Sequence, residues 1–345
     1  MQRTRRFNLM FMCLFVLAFL VSDSGPSWAQ NGKDTPIVPT PDSHTATLSE
    51  PMAVRDRPLE LSGCAVVDGG LLMVEDELVG SVLLVEDSTA TPLVVSTVKL
   101  ERKKKDRKPF AAADKLFPLQ DFEDIASDRD ELVFLVGSHQ GKNGERRPDR
   151  EFLLQATWDK KGKELKVRGE NYHVLDQIAQ SLDTLKAPVG LSKESVVDTL
   201  NIEGLAYHDS QLYIGLRGPK TPEGHAILFT VDPSEAFGGS GKPNWTPQRL
   251  DLQGAGIRGM DWDPKRNVLL ILSGPGHDSH GVPFTLWQCN PDGTGLTPIV
   301  EFPPAIAKKL PEGICRLPED GGGDLLVVLD GEGGGHGAEV VHIDW

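Results

Sequence analysis

The sequence predicts an all-β chain folded as a β-propeller of five four-stranded blades, and two observations predict it. One opener recurs five times: Leu61-Ser-Gly-Cys-Ala-Val-Val, Phe122-Glu-Asp-Ile-Ala-Ser-Asp, Ile202-Glu-Gly-Leu-Ala-Tyr-His, Ile257-Arg-Gly-Met-Asp-Trp-Asp and Pro311-Glu-Gly-Ile-Cys-Arg-Leu. Each opener is followed by a polar turn and an unbroken apolar run, at Leu71-Leu-Met-Val, Leu132-Val-Phe-Leu-Val, Leu212-Tyr-Ile-Gly-Leu, Val268-Leu-Leu-Ile-Leu and Leu325-Leu-Val-Val-Leu. Apolar runs of this length bounded by turn residues suit strands buried on both faces. A repeated unit of this kind buries its apolar surface by stacking on its neighbours.

A third strand follows in every unit: Ser81-Val-Leu-Leu-Val, Phe152-Leu-Leu-Gln-Ala-Thr-Trp, Ala226-Ile-Leu-Phe-Thr-Val, Phe284-Thr-Leu-Trp-Gln-Cys and Val340-Val-His-Ile. A fourth follows in four of them, at Leu93-Val-Val-Ser-Thr-Val, Leu165-Lys-Val, Gln248-Arg-Leu-Asp-Leu and Thr297-Pro-Ile-Val-Glu-Phe. The fifth unit stops at Trp345 after three strands, and the segment around Thr45 to Leu48 is the natural donor of its fourth. Closing a ring by letting the first strand complete the last blade removes an open edge. Between Glu170 and Asp198, Val174 to Leu185 has helical apolar spacing and predicts a helix inserted near 173–187. A sixth blade in that stretch is the alternative.

The blades are preceded by two segments outside the fold. Arg3, Arg5 and Arg6 open the chain, Phe7 to Val21 is apolar apart from Asn8, and Ser27-Trp28-Ala29 supplies small residues before a cleavage point. This is the pattern of a secretory signal peptide over residues 1–29, and it implies a periplasmic or extracellular protein. The apolar run is short of the ~20 residues that span a bilayer. Residues 30–45 are rich in Pro, Thr and Asp and read as a flexible lead-in, leaving 46–345 as a single propeller domain.

The whole chain carries 36 Lys+Arg against 50 Asp+Glu, a net charge of −14; without the leader's three Arg and one Asp it is −16. That balance argues against nucleic acid and anionic membranes as partners. It leaves a small-molecule ligand or an extracytoplasmic protein, bound by a monomer. The basic run Arg102 to Lys108 joins two units and reads as a solvated loop. Outside the leader, Cys64, Cys289 and Cys315 form neither a disulfide framework nor a Cys-x-x-Cys metal pattern, and Cys64 sits at a core position of its repeat.

Repeat register points to one candidate site. In a propeller the first strand of each blade lines the central channel, so the second opener residues, Ser62, Glu123, Glu203, Arg258 and Glu312, ring one mouth. The second strand returns antiparallel, which brings Glu75 and Asp76, Ser138 and His139, Arg217, Ser273 with His277, and Asp330 to the same mouth. Three Glu converging on an axis repel one another unless compensated. Ca²⁺, with ~6–8 oxygen ligands, would compensate Glu123, Glu203 and Glu312. Bidentate pairing with Arg217 and Arg258 would too. In a third reading the glutamates cap backbone amides as part of the blade-start signature. His277-Asp-Ser-His280 has metal-like spacing but lies in a Gly/Pro-rich loop without a third ligand in register, and His336 lies in a Gly-rich loop. No Gly-x-Ser-x-Gly elbow and no dinucleotide fingerprint occurs.

Ile202-Glu-Gly-Leu-Ala-Tyr, with Leu212-Tyr-Ile-Gly-Leu-Arg-Gly-Pro219 and Gly224-His-Ala226, resembles a bacterial domain-of-unknown-function family of propellers in which Glu-Gly-Leu-Ala and Gly-Leu-Arg-Gly-Pro recur. More distantly, the Glu-Gly openers are similar to those of gluconolactonase and regucalcin-type lactonase propellers and of phytase-like esterase propellers. That second resemblance implies a calcium held by channel carboxylates, mapping onto Glu123, Glu203 and Glu312, and a metal-dependent hydrolase of lactones, esters or phosphoesters. Arg258 and Ser62 depart from that pattern. Two functions therefore stand side by side: a binding propeller with a polar ligand or partner at the channel mouth, and a calcium-dependent hydrolase.

Overall fold

The computed structural model describes residues 46–48, 52–53, 59–76, 78–90, 92–102, 118–139, 147–184, 199–238, 242–276, 281–319, 324–330 and 339–345. The leader, the lead-in up to residue 45, Lys103 to Lys108 of the basic run, His277, His280 and His336 lie outside the described residues.

The described chain is built almost wholly of antiparallel strands. Two short strands, β1 (Thr47–Leu48) and β2 (Met52–Ala53), precede the first unit, β3 (Leu61–Val67), β4 (Gly70–Glu75), β5 (Ser81–Val85) and β6 (Val95–Glu101). The second unit is β7 (Phe122–Ser127), β8 (Leu132–Gly137), β9 (Leu153–Asp159) and β10 (Glu164–Asn171), followed by helix α1 (Val174–Thr184). The third is β11 (Asn201–His208), β12 (Gln211–Gly218), β13 (Ala226–Val231) and β14 (Thr246–Leu250). The fourth is β15 (Gly256–Asp263), β16 (Val268–Gly274), β17 (Thr285–Cys289) and β18 (Thr297–Glu301), and the fifth is β19 (Pro311–Arg316), β20 (Leu325–Leu329) and β21 (Glu339–Asp344).

Both β1 and β2 pair antiparallel with β21, Thr47 opposite Asp344 and Met52 opposite Val340. The N-terminal segment thus covers the edge that the fifth unit would otherwise leave open, as the sequence predicts. The helix also falls where its apolar spacing places it. One pairing was not expected: β10 runs parallel to β6 through Leu165 and Leu100, and fuses the outer edges of the first two units into one eight-stranded sheet.

Alternation along each second strand explains how the units stack. Val133 and Leu135 of β8 bury into a cluster shared with Leu72, Val74 and Leu84 of the first unit. Phe134 and Val136, pointing the other way, bury against Ile202, Ile214 and α1. The same period-two division operates around the molecule. Separate apolar clusters lie between the third and fourth units, the fourth and fifth, and the fifth and first. Each fully buried Leu, Val or Phe contributes roughly 1.5–3 kcal/mol of hydrophobic stabilisation before entropy is counted. The inner strands β3, β7, β11, β15 and β19 pack against one another in that cyclic order, β19 returning to β3. The architecture is β-propeller-like, with the inner strands around a central axis.

Candidate functional site at the channel mouth

Every inner strand carries the same irregularity at the same place. In β3 the ladder to β4 pairs Leu61 with Glu75 and Gly63 with Val74, skipping Ser62. In the same way Glu123, Glu203, Arg258 and Glu312 are skipped in β7, β11, β15 and β19. A β-bulge frees one residue from the ladder and re-aims its side chain. Repeated five times around an axis, it turns five side chains toward one mouth.

These five residues, with Asp76, Arg217 and Asp330 from the ends or just beyond the ends of the second strands, line a cavity of about 240 Å³. Phe284 and Leu310 add apolar wall. His139 lies apart from this lining: it is buried, with Nδ1 2.7 Å from the Gly137 carbonyl oxygen. Ser138 and Ser273 are likewise buried and engaged away from the cavity. Ser138 Oγ donates to Asp121, and Ser273 Oγ accepts from Trp287 Nε1 at 2.9 Å.

The electrostatics centre on Arg258, which is 4% exposed. Its Nη1 lies 3.0 Å from Glu203 Oε2, and its Nη2 pairs with Glu312 Oε1. Glu203 also accepts from Arg217 Nη1 at 2.7 Å and from Asn201 Nδ2 at 2.7 Å. The Nε atoms of both arginines are buried without a hydrogen-bond partner among the described residues. Two guanidinium groups therefore serve a larger set of carboxyl groups, and the surplus shows in the remaining acids. Burial, with the negative charge of Asp121, Asp330 and Glu203 nearby, pushes Asp76 up to about 8 despite the hydrogen bond from Ser62 Oγ. Burial and the neighbouring acids Asp76, Glu203 and Asp121 also hold Glu123 well above the usual carboxylate range. Burial raises Asp121 as well, against the pull of Arg150, whose Nη1 lies 2.9 Å from Asp121 Oδ1.

A cation bridging the three glutamates does not fit this arrangement. The Arg258 guanidinium already joins Glu203 to Glu312, and burial favours the neutral form of Glu123. Among the described residues no group of three or more His, Cys, Asp or Glu is arranged to hold a metal ion.

Sequence reasoning missed the residue that organises the axis below the mouth. Asp124 is fully buried; its Oδ2 accepts from Leu205 N at 2.6 Å and Met260 N at 3.3 Å, and its Oδ1 from Ile125 N at 2.9 Å. It thereby ties together inner strands of three units. At the equivalent register the other openers have Gly63, Gly204, Gly259 and Gly313. Glycine is needed there by close approach: a Cβ on Gly313 would lie 2.5 Å from Gly63 Cα, and one on Gly63 would lie 2.4 Å from Asp124 Oδ1. The lone exception to a glycine column was the available signal.

The far end of the axis is closed differently. Arg129, from the β7–β8 turn, donates to the Arg316 carbonyl at 2.8 Å, to Asp261 Oδ2 at 2.8 Å and to the Trp262 carbonyl at 3.1 Å. One side chain of the second unit thus bridges the fourth and fifth.

No curated protein matches the chain. Similar solved structures include a Thermus thermophilus protein named as a putative oxidoreductase (glucose dehydrogenase), 13% identical over 86% of this chain and 99% of that one, with a TM-score of 0.42. Another is the major Malassezia sympodialis allergen Mala s 1, 9% identical over 86% and 97% of the two chains, with a TM-score of 0.49. A chain of a mitotic checkpoint complex is 9% identical over 92% of this chain and 82% of that one, with a TM-score of 0.34. Residues 191–335, the third unit through the strands of the fifth that precede β21, match the family model described as a protein of unknown function, DUF3616.

Proposed function

We propose that the chain is an exported five-bladed β-propeller that binds a small, neutral, hydroxyl-bearing ligand in the cavity at its channel mouth. The five-fold bulge carries this reading. A bulge in the same register in every inner strand directs one polar side chain per unit to a common cavity, and the ladder itself has no use for those side chains. The blade count rests on the cyclic packing of five inner strands and on the interfaces between successive units. Export rests on the leader pattern.

The chemistry of the lining selects the ligand class. Carboxyl groups outnumber guanidinium groups, so an anion would compete with glutamates already seated on Arg217 and Arg258. A metal ion would have to displace Arg258. A neutral molecule with several hydroxyls meets neither penalty. It donates to carboxylates of the lining and accepts from the protonated Asp76, while Phe284 and Leu310 take its C–H face. A cavity of about 240 Å³ holds roughly eight waters at ~30 Å³ each, enough for one sugar-sized ring.

A thermal-shift panel of neutral polyols, sugars and lactones, phosphate esters, and calcium chloride tests this reading. Neutral hydroxylated compounds are expected to raise the melting temperature of the wild-type chain, with the shift lost in Glu312→Gln and Asp330→Asn. Calcium co-purifying with the protein, or stabilisation by calcium alone, would favour the metal-dependent hydrolase instead. A panel without any shift would defeat the binding site altogether.

A further inference from the structure

Cys64 of β3 and Cys315 of β19 lie 251 residues apart in sequence, yet their Sγ atoms are 2.8 Å apart across the seam where the last unit meets the first. That is closer than two unbonded thiols pack, and short of the ~2.05 Å of a disulfide. Both side chains are buried, at 1% and 0% exposure, within one apolar cluster that holds Leu61, Met73, Leu326 and Val328. The backbones converge just before them, at Gly63 and Gly313. Neighbouring inner strands at close approach thus hold the two Sγ atoms face to face, so a cross-link needs only a sub-ångström closure of the sulfurs. Cys289 belongs to a different cluster, between the third and fourth units.

We propose that Cys64 and Cys315 form a disulfide that joins the first inner strand to the last. The chemistry balances by thiol–disulfide exchange with a disulfide-bearing oxidant. The thiolate of one cysteine attacks the oxidant's disulfide, giving a mixed disulfide and releasing one oxidant thiol. The second cysteine thiolate then displaces the other oxidant thiolate, and the Sγ–Sγ bond forms. Two electrons pass to the oxidant, which leaves as two thiols, and the two cysteine protons end on them or in solvent. In the closed ring, burial raises the Cys64 thiol well above its ordinary range and hides both sulfurs from an oxidant. Exchange therefore takes place while the seam is still open, during folding in an oxidising compartment. The resulting bond closes a loop of about 250 residues and supplements the β1–β21 hydrogen bonds with a covalent clasp on the adjoining seam.

The test refolds the full-length chain from denaturant in a mixture of reduced and oxidised glutathione, unfolds it again in denaturant with an alkylating agent to block the buried free thiols, and maps the peptides without reduction. The expected result is a Cys64 peptide linked to a Cys315 peptide, with Cys289 alkylated. The oxidised chain should melt about 5–10 °C above the same chain under reductant. Cys315→Ala should abolish that difference and Cys289→Ala should keep it. A soluble, folded chain in which Cys64 and Cys315 are both alkylated overturns the proposal, as does a link from either residue to Cys13 or Cys289. Peptide mapping of chain purified after export supplies a second measurement, with the same two outcomes, should refolding fail.

Discussion

The two ends of the central axis use the same kinds of residue to opposite effect. At the far end Arg129 spends its guanidinium on two backbone carbonyls and Asp261, and Asp261 also accepts from Arg316 N at 2.6 Å. Arg316 in turn pairs with Asp324 at 2.7 Å. The contacts there run from side chain into backbone and join separate units. At the near mouth Arg258 and Arg217 are paired with side chains, their Nε atoms have no hydrogen-bond partner among the described residues, and carboxyl groups outnumber guanidinium groups around a cavity. The far-end network fastens units together, whereas the near-mouth pairs surround a cavity; burial raises carboxyl pKa values at both ends.

Removing the key arginine from each end should therefore have different consequences. Arg129→Ala is expected to have the larger effect on stability, about 3 kcal/mol in a denaturant titration, because it takes away the guanidinium paired with Asp261 and the donor to the Arg316 and Trp262 carbonyls. A loss below half that size would mean that the far-end network is not a fastening. Arg258→Ala should cost less, since Glu312 lines the cavity, where water takes the place of its lost partner. It should, however, clear the space between Glu203 and Glu312. The variant is expected to gain a calcium-dependent rise in melting temperature that the wild-type chain lacks. If both proteins respond to calcium alike, Arg258 is not what keeps a cation out.

The third effect concerns pH. The Asp76 pKa in the folded chain is about 8, raised from 3.8, so the folded state binds the proton more tightly than the unfolded one. Its contribution to stability is complete below pH ~3.8 and disappears as pH rises through about 8. Melting temperature should fall over that window, and Asp76→Asn, which imitates the neutral acid, should flatten the fall. Parallel wild-type and variant profiles would assign the slope to Glu123, Asp121 or Asp124 instead.

Register along a strand was legible from sequence, and contact across the ring was not. The opener column placed Ser62, Glu123, Glu203, Arg258 and Glu312 at one end of their strands, and apolar spacing located α1. Those are properties of a residue's own segment. The Arg258 bridge, the reach of Arg129 from the second unit to the fourth and fifth, and the Cys64–Cys315 seam depend on which units become neighbours and how closely their backbones approach. The same limit explains His139. It follows a second strand as expected, but with φ of 63° it folds back toward Gly137. The parallel β6–β10 edge is likewise a long-range pairing with no local signature.

The five-fold bulge has one more consequence, for how such a scaffold diversifies. A residue outside the hydrogen-bond ladder answers to no strand propensity, so serine, glutamate and arginine occupy equivalent places in this one chain. The glycine column beside it and the apolar interfaces beneath it carry the folding constraints. Five positions are thereby released together as an alphabet facing one cavity, and exchanging their side chains in combination changes the charge and polarity of the mouth while the β-sheet ladders keep their pairing.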